Sequence, residues 1–187
     1  IKIMKYIIFM IIFFYPLNIL ASSKELIKNK LSQTNSISFK FTQKIGKKKE
    51  EGECVILYPK KILCKYDDIY DKILVSNGRS LVINSKKISN YLRYNLKDTP
   101  LNLILDKKFL LEKLDQVKVI QENEETFYFE VIHNDNLLNI FFDKINYDIK
   151  GWTTTDIYLN RVETKLYNIE VNMMIDENTF RVQNYIN

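Results

Sequence analysis

Residues 36–42 read SISFKFT, and polar and apolar side chains alternate along them without a break. Ile37, Phe39 and Phe41 therefore lie on one face of an extended chain, and Ser38 and Lys40 lie on the other. This alternation predicts a β-strand with one buried and one solvated face. Ten further stretches share the alternation or are rich in β-branched and aromatic residues: 53–58, 62–66, 72–76, 80–84, 91–95, 117–121, 126–133, 137–143, 149–157 and 162–172.

The connections between these stretches are short, which indicates that the strands follow one another as an antiparallel meander. The pair Asn77-Gly78 separates two apolar runs, and this dipeptide is the strongest short-range signal for a β-hairpin. The chain has 12 Tyr and 11 Phe but only 4 Gly and 3 Pro, which also favours strands. The sequence therefore predicts a mainly β fold of about eleven strands with a few short helices, of the α+β class.

The first helical pattern precedes the strands. Ser22 and Glu25 have the spacing of a capping box, and Leu26, Ile27 and Leu31 form an apolar stripe with helical period. This segment predicts a short amphipathic helix.

A second helical segment interrupts the strands. Thr99 is in the position of an N-cap and Pro100 in that of the first helical residue, before the apolar residues 101–105 and the apolar stripe of residues 109–114. One interpretation is that these helices simply fill the core. The other follows from layer packing: three short helices cannot cover one face of an eleven-stranded curved sheet, so some concave apolar surface should remain.

Composition excludes several kinds of site. A single His and two Cys cannot supply a His-based zinc site or a His-dependent catalytic triad. Since carboxylate pairs, nucleophile elbows and Gly-rich phosphate loops are also missing, we expect no enzyme activity, no metal and no cofactor. The net charge is +5, but the lysine clusters are spread along the chain beside turns or acids, so nucleic acid is not expected as a partner.

Residues 1–21 have a different character from the remainder of the chain. Lys2 and Lys5 precede an apolar run over residues 6–15, and small residues follow at Ala21 and Ser22. This is the order of a secretory signal peptide, with the single mature domain at 22–187. A membrane anchor is the alternative, but the run is short of the roughly 20 residues that span a bilayer. Since no Cys lies near the cleavage zone, we expect a soluble periplasmic protein without a lipid anchor.

The two cysteines flank the turn at Tyr58-Pro59. Cys54 and Cys64 are equally distant from residue 59, which would place them opposite each other on paired strands. A disulfide suits an oxidising compartment. Two free thiols that fill the inner face are the alternative, because buried Cys behaves as a small apolar residue.

Six segments in register resemble the LolA family, the periplasmic carriers of outer-membrane lipoproteins. They are SFKFTQK at 38–44, Glu51-Gly52, Tyr58-Pro59, ILVSNGRSL at 73–81, Thr99-Pro100-Leu101, and residues 176–182. The resemblance implies an unclosed antiparallel β-barrel with a helical lid over a hydrophobic cavity. That cavity would take the acyl chains of a lipoprotein from an inner-membrane ATP-binding-cassette exporter and release them at the outer membrane, where a lipoprotein acceptor could receive them.

The resemblance also implies which residues line the cavity. The first helix and the lid would face the inner side of the sheet, and the expected acyl-chain contacts are Ile27, Leu31, Ile37, Phe39, Phe41, Ile56, Ile62, Leu101, Ile104 and Leu105. The family pattern has an arginine just before the proline of the second turn, where it hydrogen-bonds the lid. Here Tyr58 takes that position and is the candidate lid latch, although it offers one hydroxyl in place of five donors. The alternatives are a lid that is open more often and a lid held through Lys60 or Lys61.

Two classes of function remain open. The first is a monomeric carrier of acylated lipoproteins. The second is a periplasmic sensor or regulator, or a general lipid-binding protein, that uses the same half-barrel. A carrier without ATP must pass its lipid downhill, so its pocket should hold acyl chains through loose apolar contacts.

Overall fold

The computed structural model describes residues 22–88, 90–117, 120–133, 136–156 and 160–186. The predicted signal peptide at 1–21 lies outside the described residues. Three helices are described: α1 (Ser23–Gln33), α2 (Leu101–Leu105) and α3 (Lys107–Gln116). The strands are β1 (Ser36–Ile45), β2 (Lys48–Leu57), β3 (Lys61–Tyr66), β4 (Lys72–Asn77), β5 (Ser80–Ser85), β6 (Asn90–Asn95), β7 (Gln121–Glu122), β8 (Thr126–His133), β9 (Asn136–Asp143), β10 (Ile149–Thr155) and β11 (Arg161–Val171).

All eleven strands belong to one antiparallel sheet in the order β6-β5-β4-β3-β2-β1-β11-β10-β9-β8-β7. Two meanders meet at its centre, where β1 pairs with β11 from the other end of the described chain. Strands β6 and β7 form the two edges of the described sheet and are not paired with each other, so the barrel is unclosed. The predicted fold class is thus confirmed.

The hairpin at Asn77-Gly78 has the expected chemistry. Gly78 has a φ of +95°, in the region that favours glycine, and the Asn77 side chain accepts hydrogen bonds from the amides of Arg79 and Ser80, both at 3.0 Å.

Most strand boundaries lie within a few residues of prediction, and two strands differ most at their start. Strand β2 begins at Lys48 rather than residue 53, because the ladder with β1 extends down to the pair Ile45 and Lys48. Of the strand predicted at 117–121, residues 118 and 119 lie outside the described residues. The amide of Val117 bonds to the carbonyl of Lys113 at 3.2 Å and closes helix α3, and β7 begins only at Gln121.

The helix starts agree in part with prediction. Ser22 caps α1, and its Oγ accepts the amide of Glu25 at 3.4 Å. Thr99 does not cap α2 as predicted: its hydroxyl donates to the carbonyl of Leu96 at 2.8 Å, which ends the preceding 3-10 turn. Asp106 is a cap that was not predicted from the sequence, and its Oδ1 accepts the Phe109 amide at 3.1 Å at the start of α3.

Apolar residues are buried on both faces of the sheet. The inner, concave face packs against α1, α2 and α3. On the outer face, the C-terminal segment of residues 175–186 covers β2 to β5, and Phe180 and Val182 are buried there against Val75 and Val82. The helices therefore cover one face of the sheet while the C-terminal segment covers part of the other.

Candidate functional site

The residues expected to line a cavity do lie together on the inner face. Nine of the ten are at most 3% exposed, and Leu101 is half-buried against the same cluster. The nine are Ile27, Leu31, Ile37, Phe39, Phe41, Ile56, Ile62, Ile104 and Leu105. Helix α1, the lid (α2 and α3, residues 101–116) and strands β1 to β3 therefore share one apolar interior.

The sheet side of this interior depends on close packing of aromatic rings. Phe39 meets Trp152 edge to face at a centroid distance of 6.2 Å, and Phe41 meets Tyr66 in the same way at 5.1 Å. Gly52 lies opposite Phe41 in the ladder. A Cβ at residue 52 would clash with the Lys65 carbonyl oxygen and lie 3.0 Å from the Phe41 ring, so only glycine fits there.

Side chains fill the space beneath the lid, since Ile104, Leu105, Leu110 and Leu114 are at most 1% exposed. Beside α1 there remains a void of about 10 Å³, lined by Leu31, Ile37, Phe142 and Ile149 among others. A void of that size holds about one water molecule. The structure is thus a closed conformation, in which an acyl chain could enter only if the lid moved away from the sheet.

Part of the inner face extends beyond the lid. In the ladder between β5 and β6, Leu92 lies opposite Ile83 and Tyr94 lies opposite Leu81. Leu81 is buried, whereas Leu92 and Tyr94 are exposed. The concave apolar surface predicted from layer packing is therefore covered at the centre of the sheet and uncovered at the β6 edge.

Lys60, in the turn of residues 58–60 between β2 and β3, makes polar contacts with the lid. The Lys60 amide donates to the carbonyl of Leu105 at 3.0 Å, and its Nζ lies 3.0 Å from Oδ2 of Asp106. Lys107 links the lid to the end of α1, because its Nζ donates to the carbonyl oxygens of Ser32 and Thr34 at 3.1 and 2.9 Å. Burial lowers the pKa of Lys107.

The Tyr58 hydroxyl is not the lid latch that the resemblance suggested. It is buried and has no hydrogen-bond partner among the described residues. Burial raises the pKa of this phenol well above its ordinary value. Of the alternative latch residues, Lys61 pairs instead with Glu177 of the C-terminal segment, at 2.6 Å. The hydrogen bond and the ion pair with the lid therefore belong to Lys60, and Tyr58 contacts the lid through its ring, whose centre lies 5.7 Å from Lys107 Nζ.

Cys54 and Cys64 are joined by a disulfide in the structure. They lie opposite each other in the ladder of β2 and β3, and both are buried on the inner face. Their bond ties together the two strands whose connecting turn carries Lys60.

A charged cluster lies at the beginning of β2, at the end of the strand away from the turn that carries Lys60. The carboxylate of Glu50 is almost buried and contacts the Nζ atoms of Lys48 and Lys72 at 2.5 Å each, while Lys72 lies 3.7 Å above the Tyr66 ring centre. Burial alone would raise the pKa of Glu50, but the hydrogen bonds and charges of the two lysines outweigh it and lower that pKa. We interpret this cluster as structural, since it closes the end of the apolar interior.

The described residues contain no group of three or more His, Cys, Asp or Glu side chains placed to hold a metal ion. Over the same residues, no helix combines the length and the apolar character needed to cross a bilayer.

Comparison with solved structures shows a shared fold. An uncharacterized conserved protein from Thermus thermophilus is similar over 86% of this chain and 93% of that chain, with a TM-score of 0.53 and 6% identity. A LolA superfamily protein from Nitrosomonas europaea matches over 86% and 98% of the two chains, at a TM-score of 0.45 and 8% identity. The MucA/MucB complex of Pseudomonas aeruginosa matches over 84% of this chain and 58% of that chain, at a TM-score of 0.43 and 10% identity.

Sequence comparison gives the family. No curated protein matches the chain significantly. The family model described as outer membrane lipoprotein carrier protein LolA matches residues 32–183, from the end of α1 to the C-terminal segment. The chain therefore belongs to the LolA family.

Proposed function

We propose that this protein carries lipoproteins through the periplasm and holds their acyl chains between the lid and the inner face of the sheet. The observation that carries the proposal is the shared apolar interior, to which a separate helical lid contributes Leu103, Ile104 and Leu105. The polar contacts that Lys60 makes with this lid all lie at one turn. Such a lid can separate from the sheet without disrupting the strand ladders.

The energetics of acyl chains require a carrier of this kind. Exposing an acyl chain to water costs about 0.8 kcal/mol per CH₂ group, so a lipoprotein with several chains would need tens of kcal/mol to cross an aqueous space alone. An apolar interior removes most of that cost.

A closed, filled interior also explains how the cargo can be released. When the lid opens, each of its buried leucine or isoleucine side chains loses about 1.5–3 kcal/mol of burial free energy unless an acyl chain takes the place of the sheet. The net affinity for acyl chains is therefore smaller than their full transfer free energy. Because its affinity for acyl chains is reduced in this way, the carrier can pass its cargo to a membrane or an acceptor that binds the chains more tightly, without an energy source.

The proposed route follows from the same assignment. Residues 1–21 would direct secretion and be removed, and the mature chain would receive lipoproteins from an inner-membrane ATP-binding-cassette exporter. It would release them at the outer membrane, directly or to a lipoprotein acceptor.

Native mass spectrometry of the mature protein, purified from periplasm, tests the proposal. We expect a one-to-one complex with acylated lipoprotein. The same lipoprotein with its acylated cysteine replaced should not bind, because the protein moiety alone offers no acyl chain.

Two variants distinguish the interior from the surface. Phe41→Glu places a charge on the inner face and should abolish the complex, whereas Ile132→Glu, at a side chain 69% exposed on β8, should not. Circular dichroism establishes whether Phe41→Glu still folds, and Ile104→Ser in the lid is a milder replacement if it does not. Binding of the non-acylated lipoprotein would favour a sensor of proteins, and free phospholipid as the sole ligand would favour a general lipid binder.

A further inference from the structure

Strand β6 is an edge strand with unusual exposure. All six of its residues are exposed, including Tyr91 at 48%, Leu92 at 52% and Tyr94 at 40%. Leu92 and Tyr94 continue the inner face, whereas Tyr91 lies opposite Asn84 on the other side of the sheet. Apolar and aromatic side chains thus project from both faces of the same edge.

Cationic side chains surround this edge. The hairpin, the 3-10 turns on either side of β6 and the strand itself supply exposed Arg79, Lys86, Lys87, Arg93 and Lys97.

Acidic side chains balance only part of this charge. Lys87 lies 3.5 Å from Asp71, whereas Arg79, Lys86 and Lys97 have no ion pair in the described part of the chain. Of the five cations at the β6 edge, only Lys87 therefore has a carboxylate partner among the described residues.

We propose that the β6 edge, defined by residues 79–88 and 90–97, is a docking surface for an anionic phospholipid bilayer. Tyr and Leu side chains partition into the interfacial region of a bilayer, and flanking Lys and Arg side chains reach the headgroups with their charged ends. A polybasic surface is attracted to anionic lipid over about a Debye length. The β6 edge has both the exposed Tyr and Leu side chains and the cationic side chains that such binding requires.

This inference concerns the protein without cargo and does not rest on lipoprotein binding. Docking through β6 would place the uncovered strip of the inner face against the bilayer. The sheet order puts the edge five strands away from β1, and the exposure of Leu92 and Tyr94 shows that the lid does not cover the inner face there.

Sedimentation of the mature chain with unilamellar vesicles, in the absence of lipoprotein, tests the docking surface. We expect binding to vesicles that contain phosphatidylglycerol, weakening with added salt, and little binding to vesicles of phosphatidylcholine alone. The charge reversal Lys86→Glu/Lys97→Glu should weaken binding on the order of tenfold or more, because each cation near the surface adds to the attraction. The pair Leu92→Ser/Tyr94→Ser should weaken it further at high salt.

Matched controls place the same changes elsewhere. Lys40→Glu/Lys47→Glu makes an equal change in net charge at exposed residues of β1 and its turn, and Ile132→Ser removes an exposed apolar side chain from β8. Both should bind as the unmodified protein does. Equal binding to both kinds of vesicle, binding that survives the β6 variants, or a dimer formed through β6 without vesicle binding would each overturn the proposal.

Discussion

Neutralising Asp106 should loosen the lid without unfolding the sheet. In the substitution Asp106→Asn, the side chain keeps an oxygen that can cap α3, since Asn and Asp are comparable N-caps. This substitution removes the ion pair with Lys60 Nζ, which lies 3.0 Å from the carboxylate. The substitution Asp106→Ala removes both this pair and the hydrogen bond to the Phe109 amide.

The size of the effect follows from the geometry. Two unit charges 3.0 Å apart attract each other by about 1.4 kcal/mol in bulk water. The two side chains are 36% and 26% exposed, and double-mutant cycles of such partly exposed pairs give about 0.2–1 kcal/mol. We therefore expect Asp106→Asn to destabilise the closed lid by about 1 kcal/mol and Asp106→Ala by about 2 kcal/mol, since removal of an N-cap costs about 1 kcal/mol more.

Amide hydrogen exchange measures lid opening directly, because the Lys60 amide is bonded to the Leu105 carbonyl and exchanges when they separate. At about 1.4 kcal/mol per factor of ten, Asp106→Asn should accelerate this exchange about fivefold and Asp106→Ala about thirtyfold. Lys60→Met should match Asp106→Asn, and the double variant Lys60→Met/Asp106→Asn should add little. Amides of the central strand β1 should exchange as before. An unchanged Lys60 amide in Asp106→Ala, or equal acceleration in β1, would refute the latch.

Three further predictions concern the sheet. The pKa of Glu50 is lowered from its ordinary 4.5, so the stability that its carboxylate contributes is present above that pH and is lost as the pH falls below it. Glu50→Gln should remove this acid dependence and should lower the free energy of unfolding by about 1–3 kcal/mol at neutral pH. Urea denaturation at several pH values measures both effects. Gly52→Ala should cost about 1–3 kcal/mol in the same assay, because its Cβ would clash with the Lys65 carbonyl. Cys54→Ala/Cys64→Ala should cost about 2–3 kcal/mol and abolish the effect of reductant on the urea midpoint.

Much of the fold is predictable from residue patterns, since alternation specifies which face of a strand is buried. The apolar and polar positions of β1 match the observed inner and outer faces, from Ile37 to Thr42. The apolar runs ILV at 73–75 and LVI at 81–83 do not alternate with polar residues, so alternation does not assign them to one face of the sheet. Near-continuous apolar strands indicate burial on both faces, and Ile73, Val75 and Val82 do pack beneath the C-terminal segment.

The lid contacts were harder to predict. The sequence offers Tyr58, Lys60 and Lys61 beside one turn, and residue type alone favours none of them as the partner of a distant helix. The direction in which each side chain leaves the turn decides the matter, and it directs Lys61 to the outer face, where it meets Glu177. Asp106 was the available clue, because Asp before a helical stripe is an N-cap signal and places a carboxylate at the junction of α2 and α3.

The filled interior could not be predicted from residue patterns. Three short helices are too few to cover eleven strands, but this count does not reveal that large side chains such as Phe39, Phe142 and Trp152 fill the central part. Packing to close density is a property of the assembled side chains. The uncovered remainder lies at β6, where Leu92 and Tyr94 are exposed.

Photocrosslinking of a lipoprotein whose acyl chains carry a photoreactive group tests most directly whether the interior receives acyl chains. We predict crosslinks to the lid at Ile104 or Leu105 and to the inner face at Phe39 or Phe41, with none to Val182 on the outer face. Crosslinks confined to the outer face, or an equal yield at Val182 and Phe39, would contradict a carrier that encloses acyl chains beneath its lid.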